Sequence, residues 1–204
     1  MEMKEIVLIF IASSLVTAHV ATDWSKIITT HEAPHQHTSS EDIKIVGGLE
    51  AVPNSIPYQA ALILFYKEET RLCGGSLITR RYVLTAGHCL VDELVSLYVI
   101  LGAHKYGEDE PTQQIISTST FKVHEQFDGG PLANDIGIVH LPTPANLNQY
   151  VQLIALPRRA DVSKSFAGSE AVVSGWGRNS SNDNDVSNVL RYLNVPFCQT
   201  TCVT

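Results

Sequence analysis

The sequence predicts an all-β protein, and three observations support this class. After Lys44, short runs rich in β-branched and aromatic residues recur at regular spacing, with Gly, Pro, Asn and Asp between them. No window keeps a 3.6-residue apolar period over three turns, so no long helix is expected. Hydrophobic residues make up 44% of the 204 residues, which is enough for a packed core. Such a pattern is typical of a β-sandwich or a β-barrel.

In chain order, the strand-like runs are QAALILFY, GGSLITRRYVLTAG, SLYVILGAH, QQIISTSTFKVHE, DIGIVHL, EAVVSGWG and VLRYLNVPF. The second run holds two strands joined by a turn at Thr79, Arg80 and Arg81. The stretch LPTPANLNQYVQLIALP is predicted to be an extended linker between two groups of strands. SSNDND, at residues 180–185, is a polar loop, and Asn179 just before it begins a glycosylation sequon.

The amino-terminal residues have the features of a secretory signal peptide. Lys4 precedes the apolar run IVLIFIASSLV, and Val16 and Ala18 suit the positions before a signal-peptidase cut, so residues 1–18 are assigned to this signal. A membrane anchor is the alternative, but the run is short for a span. We expect a secreted, extracellular protein with no membrane contact after signal removal. Residues 19–44 are polar and lack apolar periodicity, which is typical of a flexible leader.

Charge and ligand patterns argue against two classes of function. The net charge of −7 has no basic stripe beside it, so nucleic acid is not an expected partner. The leader contains His31, His35 and His37, which could hold a metal, but no rigid element fixes their geometry. The four cysteines include no Cys-x-x-Cys pair, which argues against a zinc knuckle. We therefore expect neither a metal nor a cofactor.

The stretch YVLTAGHC ends an apolar β-type run in a titratable residue, His88. Folding CGGSLITRRYVLTAGHC back on itself would bring Cys73 close to Cys89, and a disulfide there would fix the backbone beside the histidine. A general base needs a ring held in this way, and Asp135, which precedes the apolar strand GIVHL, could orient it. Each residue alone also has an ordinary explanation, as a structural histidine or as a turn aspartate.

The motifs IVGG after a basic residue, CGGSLIT, LTAGHC, NDIGIVHL and SGWG occur in that order. Together they resemble the chymotrypsin-like (trypsin-fold) serine proteases, from about Ile45 to Pro196. The stretch VILGAHKYGEDEPTQQIISTSTFKVHEQF is most similar to the brachyurin and insect chymotrypsin-like branch. The resemblance implies a trypsin-like double antiparallel β-barrel at residues 45–204, with the first barrel at about 45–145. Gly87 departs from the family, which usually has alanine there.

The resemblance also implies roles for single residues. His88 would be the general base and acid, and Asp135 would orient it. A trypsin-like activating protease would cut the Lys44–Ile45 bond, which makes Ile45 the new amino terminus and residues 19–44 an activation propeptide. The substrates would be proteins or peptides.

The family's nucleophilic serine lies in Gly-Asp-Ser-Gly-Gly-Pro, a motif that does not occur in these 204 residues. Ser76 and Ser174 stand beside glycines, but their family counterparts have no catalytic role. We expect the serine, the oxyanion hole and the specificity pocket to lie beyond Thr204, so that the second barrel is truncated and the chain as given is inactive. The pairing of Cys198 and Cys202 is left open.

The expected function is therefore that of a secreted serine endopeptidase zymogen, and the alternative is a non-catalytic, secreted, protease-like binding protein. Some relatives bind calcium in the loop that matches GAHKYGEDE. Glu108, Asp109 and Glu110 offer carboxylates there, but Ala103 replaces a glutamate ligand. A solvated acidic turn is the favoured interpretation of this loop.

Overall fold

A computed structural model of the chain describes residues 14–16, 48–91, 93–129, 133–161, 164–177 and 186–197. These residues form antiparallel β-strands and two three-residue 3-10 helices, so the all-β class is confirmed. Within the same ranges, no helix is long and apolar enough to cross a membrane.

The strands in chain order are β1 (Ser14–Val16), β2 (Leu49–Glu50), β3 (Gln59–Tyr66), β4 (Thr70–Thr79), β5 (Tyr82–Thr85), β6 (Leu94–Leu101), β7 (Gln114–Thr118), β8 (Phe121–Val123), β9 (Gly137–His140), β10 (Glu170–Gly175) and β11 (Arg191–Pro196). The larger sheet has the order β7-β6-β3-β4-β5-β9-β8. Strand β1 pairs with the first three residues of β4, Thr70 to Leu72. The smaller sheet has the order β10-β11-β2.

Strand β3 is buried on both of its faces over most of its length. On one face, Ala60, Leu62 and Leu64 belong to the core cluster inside the larger sheet. On the other face, Ala61 and Ile63 pack in a second cluster that includes residues near the smaller sheet. A strand covered on both sides needs an unbroken apolar sequence, which explains why QAALILFY does not alternate with polar residues.

The second cluster joins the two sheets. It includes Trp176, which follows β10, and Leu190, which precedes β11. Both residues are at most 3% exposed, so the smaller sheet packs firmly against the outer face of the larger one.

The hairpin and the linker agree with the sequence prediction. Strands β4 and β5 are joined by the two arginines that follow Thr79. The described part of the segment between β9 and β10 contains no strand, only an isolated bridge from Asn148 to Val151 and a 3-10 helix at Arg159–Asp161. Several predicted features lie outside the described residues: His31, His35, His37, Lys44, Ile45, Asn179, Cys198 and Cys202. The domain limits at residues 18 and 44 stay predictions.

Candidate active site

The pairing of β5 with β9 brings the two candidate residues together. Thr85 lies opposite Gly137 in this pair. His88 lies three residues after Thr85, in a 3-10 helix at Gly87–Cys89, and Asp135 lies two residues before Gly137. The two side chains therefore leave the same end of the strand pair and face each other.

Asp135 binds His88 through both of its carboxylate oxygens. Oδ2 lies 2.7 Å from ring Nδ1, and Oδ1 accepts the His88 backbone N–H at 2.8 Å. An ionised carboxylate only accepts hydrogen bonds, so the ring proton is on Nδ1. In the neutral ring, Nε2 then has a lone pair, and the His88 side chain is 37% exposed. This geometry gives a proton acceptor that is fixed in orientation, on a side chain that is partly exposed.

A tight turn fixes the position of Asp135. The Ile136 N–H donates to the Asn134 carbonyl at 2.7 Å, which closes a three-residue turn with Asp135 at its centre. Asn134 has a positive φ of 59°, a conformation that asparagine tolerates better than most residues. Its side-chain amide also donates to the Gln126 carbonyl at 3.1 Å.

The turn that contains His88 is held by a disulfide and by a tyrosine. The structure has the predicted bridge between Cys73 and Cys89, with a Cα–Cα distance of 6.4 Å. The Tyr66 hydroxyl donates to the Cys89 carbonyl at 2.8 Å. Sequence reasoning missed Tyr66, because it lies 23 residues away at the end of β3 and its sequence neighbours give no signal of this contact.

Glycines allow the backbone to approach closely on both sides of the pair. A Cβ on Gly137 would lie 2.7 Å from Leu90 Cδ1, so a side chain there would force Leu90, which follows the His88 turn, to shift. A Cβ on Gly87 would lie 3.1–3.3 Å from atoms of Val123, Phe127 and Asp135. Gly87, at the position where alanine was expected, therefore lies in a tightly packed site beside the Asp135 carboxylate.

Among the described residues, one cluster has side chains of the types that bind metals, but its cysteines are already bonded to each other. Ligand atoms of Cys73, His88 and Cys89 lie within 4.8 Å of one another, but the two sulfurs form the disulfide and offer no thiolate. We assign no metal to this cluster.

The acidic turn is only partly solvated, unlike the prediction. Glu108 and Asp109 are exposed, but the Glu110 carboxylate turns inward. Its Oε2 accepts the backbone N–H groups of His104, at 2.7 Å, and Lys105, at 3.1 Å. Unpaired backbone donors in a tight loop provide the physical reason for this inward turn. The Glu108 carboxylate binds the Lys105 ammonium and raises the pKa of that lysine above its ordinary value.

The two serines that stand beside glycines have structural contacts. Ser76 is 3% exposed, and its backbone lies in β4 between β3 and β5. The Ser174 hydroxyl donates to the Gln59 side chain at 2.7 Å, which links β10 to β3.

Comparison with known proteins gives the family. The family model described as Trypsin matches residues 45–204, most of the chain. The chain belongs to the trypsin family. Trypsin-family relatives include brachyurin from Leptuca pugilator, which is 42% identical over 75% of this chain and 64% of its own length. Chymotrypsin from Phaedon cochleariae is 37% identical over 84% of this chain and 62% of its own length.

Solved structures agree with this assignment. A structure described as "Structure of GrC" aligns with a TM-score of 0.67 and 33% sequence identity, over 74% of this chain and 64% of that one. The chain thus spans less than two thirds of the length of these trypsin-family relatives.

Proposed function

We propose that this chain belongs to a serine endopeptidase that hydrolyses peptide bonds in proteins, with His88 as general base and acid and Asp135 as its orienting carboxylate. The observation that supports this most strongly is the two-point contact of Asp135 with the ring and the backbone of His88. This contact fixes the orientation of the ring relative to the backbone that carries it. Membership of the trypsin family supports the same reaction class.

In the proposed mechanism, a serine hydroxyl attacks the scissile carbonyl while its proton moves to His88 Nε2. The Asp135 carboxylate stabilises the imidazolium that forms, and His88 later returns the proton to the leaving amine. We place the nucleophilic serine after Thr204, because no Gly-Asp-Ser-Gly-Gly-Pro motif occurs in the sequence and the relatives are longer. On this proposal the 204-residue chain alone has no turnover, because it lacks both the nucleophile and the oxyanion donors.

The proposal includes secretion as a zymogen. The apolar segment after Lys4 and the polar leader that follows it support a signal peptide at residues 1–18 and a propeptide at 19–44. On this proposal, β1 is part of the signal peptide and is absent from the processed protein. A trypsin-like protease would cut after Lys44 and release Ile45 as the new terminus. Amino-terminal sequencing of processed protein should begin at Ile45, and survival of an intact bond at protease levels that activate related zymogens would contradict this step.

The decisive experiment extends the chain with the carboxyl-terminal segment of brachyurin and activates the product. The extended protein should turn over peptide substrates and react with serine-directed phosphonates. Asp135→Asn should lower turnover by about 10⁴, the loss seen in the Ser-His-Asp template when the histidine takes the wrong tautomer. His88→Ala should abolish turnover. Asp109→Asn, which removes an exposed carboxylate in the acidic loop, serves as the matched control with unchanged turnover.

Full turnover of the extended His88→Ala variant would refute the proposed role of the histidine. Phosphonate labelling of the 204-residue chain would refute the placement of the nucleophile. An extended protein that folds but neither labels nor turns over substrate would instead favour the non-catalytic binding protein.

A further inference from the structure

The acidic loop, which joins β6 to β7 at residues 102–113, encloses the side-chain amide of Gln113. Gln113 Nε2 lies 2.9 Å from the carbonyl oxygen of Lys105 and 2.9 Å from that of Glu108. It also lies 3.1 Å from Glu110 Oε2. Carbonyl and carboxylate oxygens only accept hydrogen bonds, so the nitrogen of the amide faces them and its oxygen does not. One nitrogen thus lies among oxygens from three residues of the same loop.

The Glu110 carboxylate is the only charged group among these three acceptors, and neutral donors surround it. The same Oε2 accepts the backbone N–H groups of His104 and Lys105, and Gln113 adds a side-chain N–H. The backbone N–H of Gln113 donates to the Glu110 carbonyl at 3.0 Å. The Lys105 ammonium binds the Glu108 carboxylate instead, at 3.0 Å. Gln113 is therefore bonded to both the backbone and the side chain of Glu110.

Oxygens that converge in this way are the ligands of a hard cation. Calcium takes roughly six to eight oxygen ligands, at about 2.3–2.6 Å, from carboxylates, carbonyls and water. Here the N–H groups of Gln113 are directed at the two carbonyl oxygens and the carboxylate oxygen, so the amide and a cation cannot bind these oxygens together. Ala103, where some relatives have a glutamate ligand, supplies no carboxylate. The residues of this loop therefore do not fit calcium.

We infer that the Gln113 amide takes the place of a cation in the acidic loop, so that the loop keeps its shape without calcium. The shape of the loop matters for the contact between the two sheets. The His104 carbonyl accepts the indole N–H of Trp176 at 2.9 Å and the backbone N–H of Leu190 at 2.8 Å. Both partners belong to the second cluster, which joins the sheets. This inference does not depend on the proposed enzymatic function.

The test compares Gln113→Glu with wild type in the full 204-residue chain. The new carboxylate cannot donate to Glu110, and it adds the negative charge that favours calcium. Gln113→Met removes the N–H groups without adding charge, and Gln149→Glu is the matched control, with the same change on an exposed side chain in the linker. Hydrogen exchange of the Lys105 amide is measured with a chelator and with calcium at about 1 mM, within the range in which extracellular modules bind this ion.

In the chelator, Gln113→Glu and Gln113→Met should each speed exchange of the Lys105 amide by about tenfold, as expected for the loss of a hydrogen bond to a charged group. Calcium should restore slow exchange in Gln113→Glu and leave Gln113→Met fast. Wild type and Gln149→Glu should exchange at the same slow rate in both solutions.

Slower exchange of wild type on adding calcium would overturn the inference, because a cation would then bind the loop despite Gln113. So would a Gln113→Glu variant that exchanges like wild type in the chelator, because the amide would then not hold the loop. A Gln113→Glu variant that calcium does not restore, or that folds in neither solution, would contradict the equivalence of the amide and the cation.

Discussion

Adding one methyl group at Gly137 should separate the two strands that position the candidate catalytic pair. The Cβ of Gly137→Ala would lie 2.7 Å from Leu90 Cδ1, against an ordinary contact range of 3.4–4 Å. The carbonyl oxygens of Ala86 and Lys122 also lie close to the new atom, at 3.3 and 3.4 Å. Leu90 is 2% exposed and belongs to the core cluster, so a shift of its side chain would disturb its buried neighbours. Overpacking of this kind costs about 1–3 kcal/mol of unfolding free energy.

Equilibrium unfolding in urea measures this cost. Gly74→Ala is the control, because its Cβ would meet only the end of the Gln59 side chain, at 3.3 Å. Leu90→Val alone should cost about 1 kcal/mol through the lost methylene. Combined with Gly137→Ala, it should cost less than the two single changes together, because the clashing atom is gone.

A Gly137→Ala variant as stable as Gly74→Ala would refute this reasoning. So would strict additivity with Leu90→Val, because the clash would then not be the source of the cost.

Three further outcomes follow from the structure. Replacing Cys73 and Cys89 by alanine should lower the unfolding free energy by about 3 kcal/mol, because the bridge closes a loop with a sequence separation of 16; a change below 1 kcal/mol in urea unfolding would contradict this. The Lys164 ammonium and the Arg158 backbone N–H lower the pKa of Asp161, so its contribution to stability is present above its ordinary pKa of 3.8 and is lost as pH falls further. Amide exchange at Lys164, corrected for its intrinsic rate, should therefore rise on acidification in the wild type but not in Asp161→Asn. Glycosidase treatment of the secreted protein should lower its mass through Asn179, and an unchanged mass would argue against glycosylation there.

The strands of the larger sheet could be predicted from sequence because their burial leaves a local pattern. QAALILFY is apolar throughout, since both faces of β3 are covered, and its bounds match the observed strand. The turn after Thr79 is polar and lies between two apolar runs, so the β4–β5 hairpin follows from neighbouring residues. The family motifs likewise predict that His88 and Asp135 act together, although 47 residues separate them in the sequence.

The contacts that sequence reasoning missed depend on distant partners. Strand β2 is too short for an alternating pattern, and it pairs with β11 about 140 residues later in the chain, at Glu50 and Arg191. Tyr66 contacts the His88 turn only because β3 and that turn meet in the folded protein. Glu110 appears as one of three equivalent acidic residues in the sequence, and only the loop geometry turns its carboxylate toward the backbone. Tertiary packing decides these interactions, and local composition does not encode them.

The most direct test of the central claim is the protonation of the His88 ring, measured by nitrogen-15 NMR on the 204-residue chain above the pH at which the imidazole titrates. We expect a protonated Nδ1 bound to Asp135 and an Nε2 without a proton. In Asp135→Asn, the amide can donate to Nδ1, so the proton should move to Nε2. A wild-type ring with its proton on Nε2, or a ring whose state does not change in Asp135→Asn, would contradict the assignment of this pair.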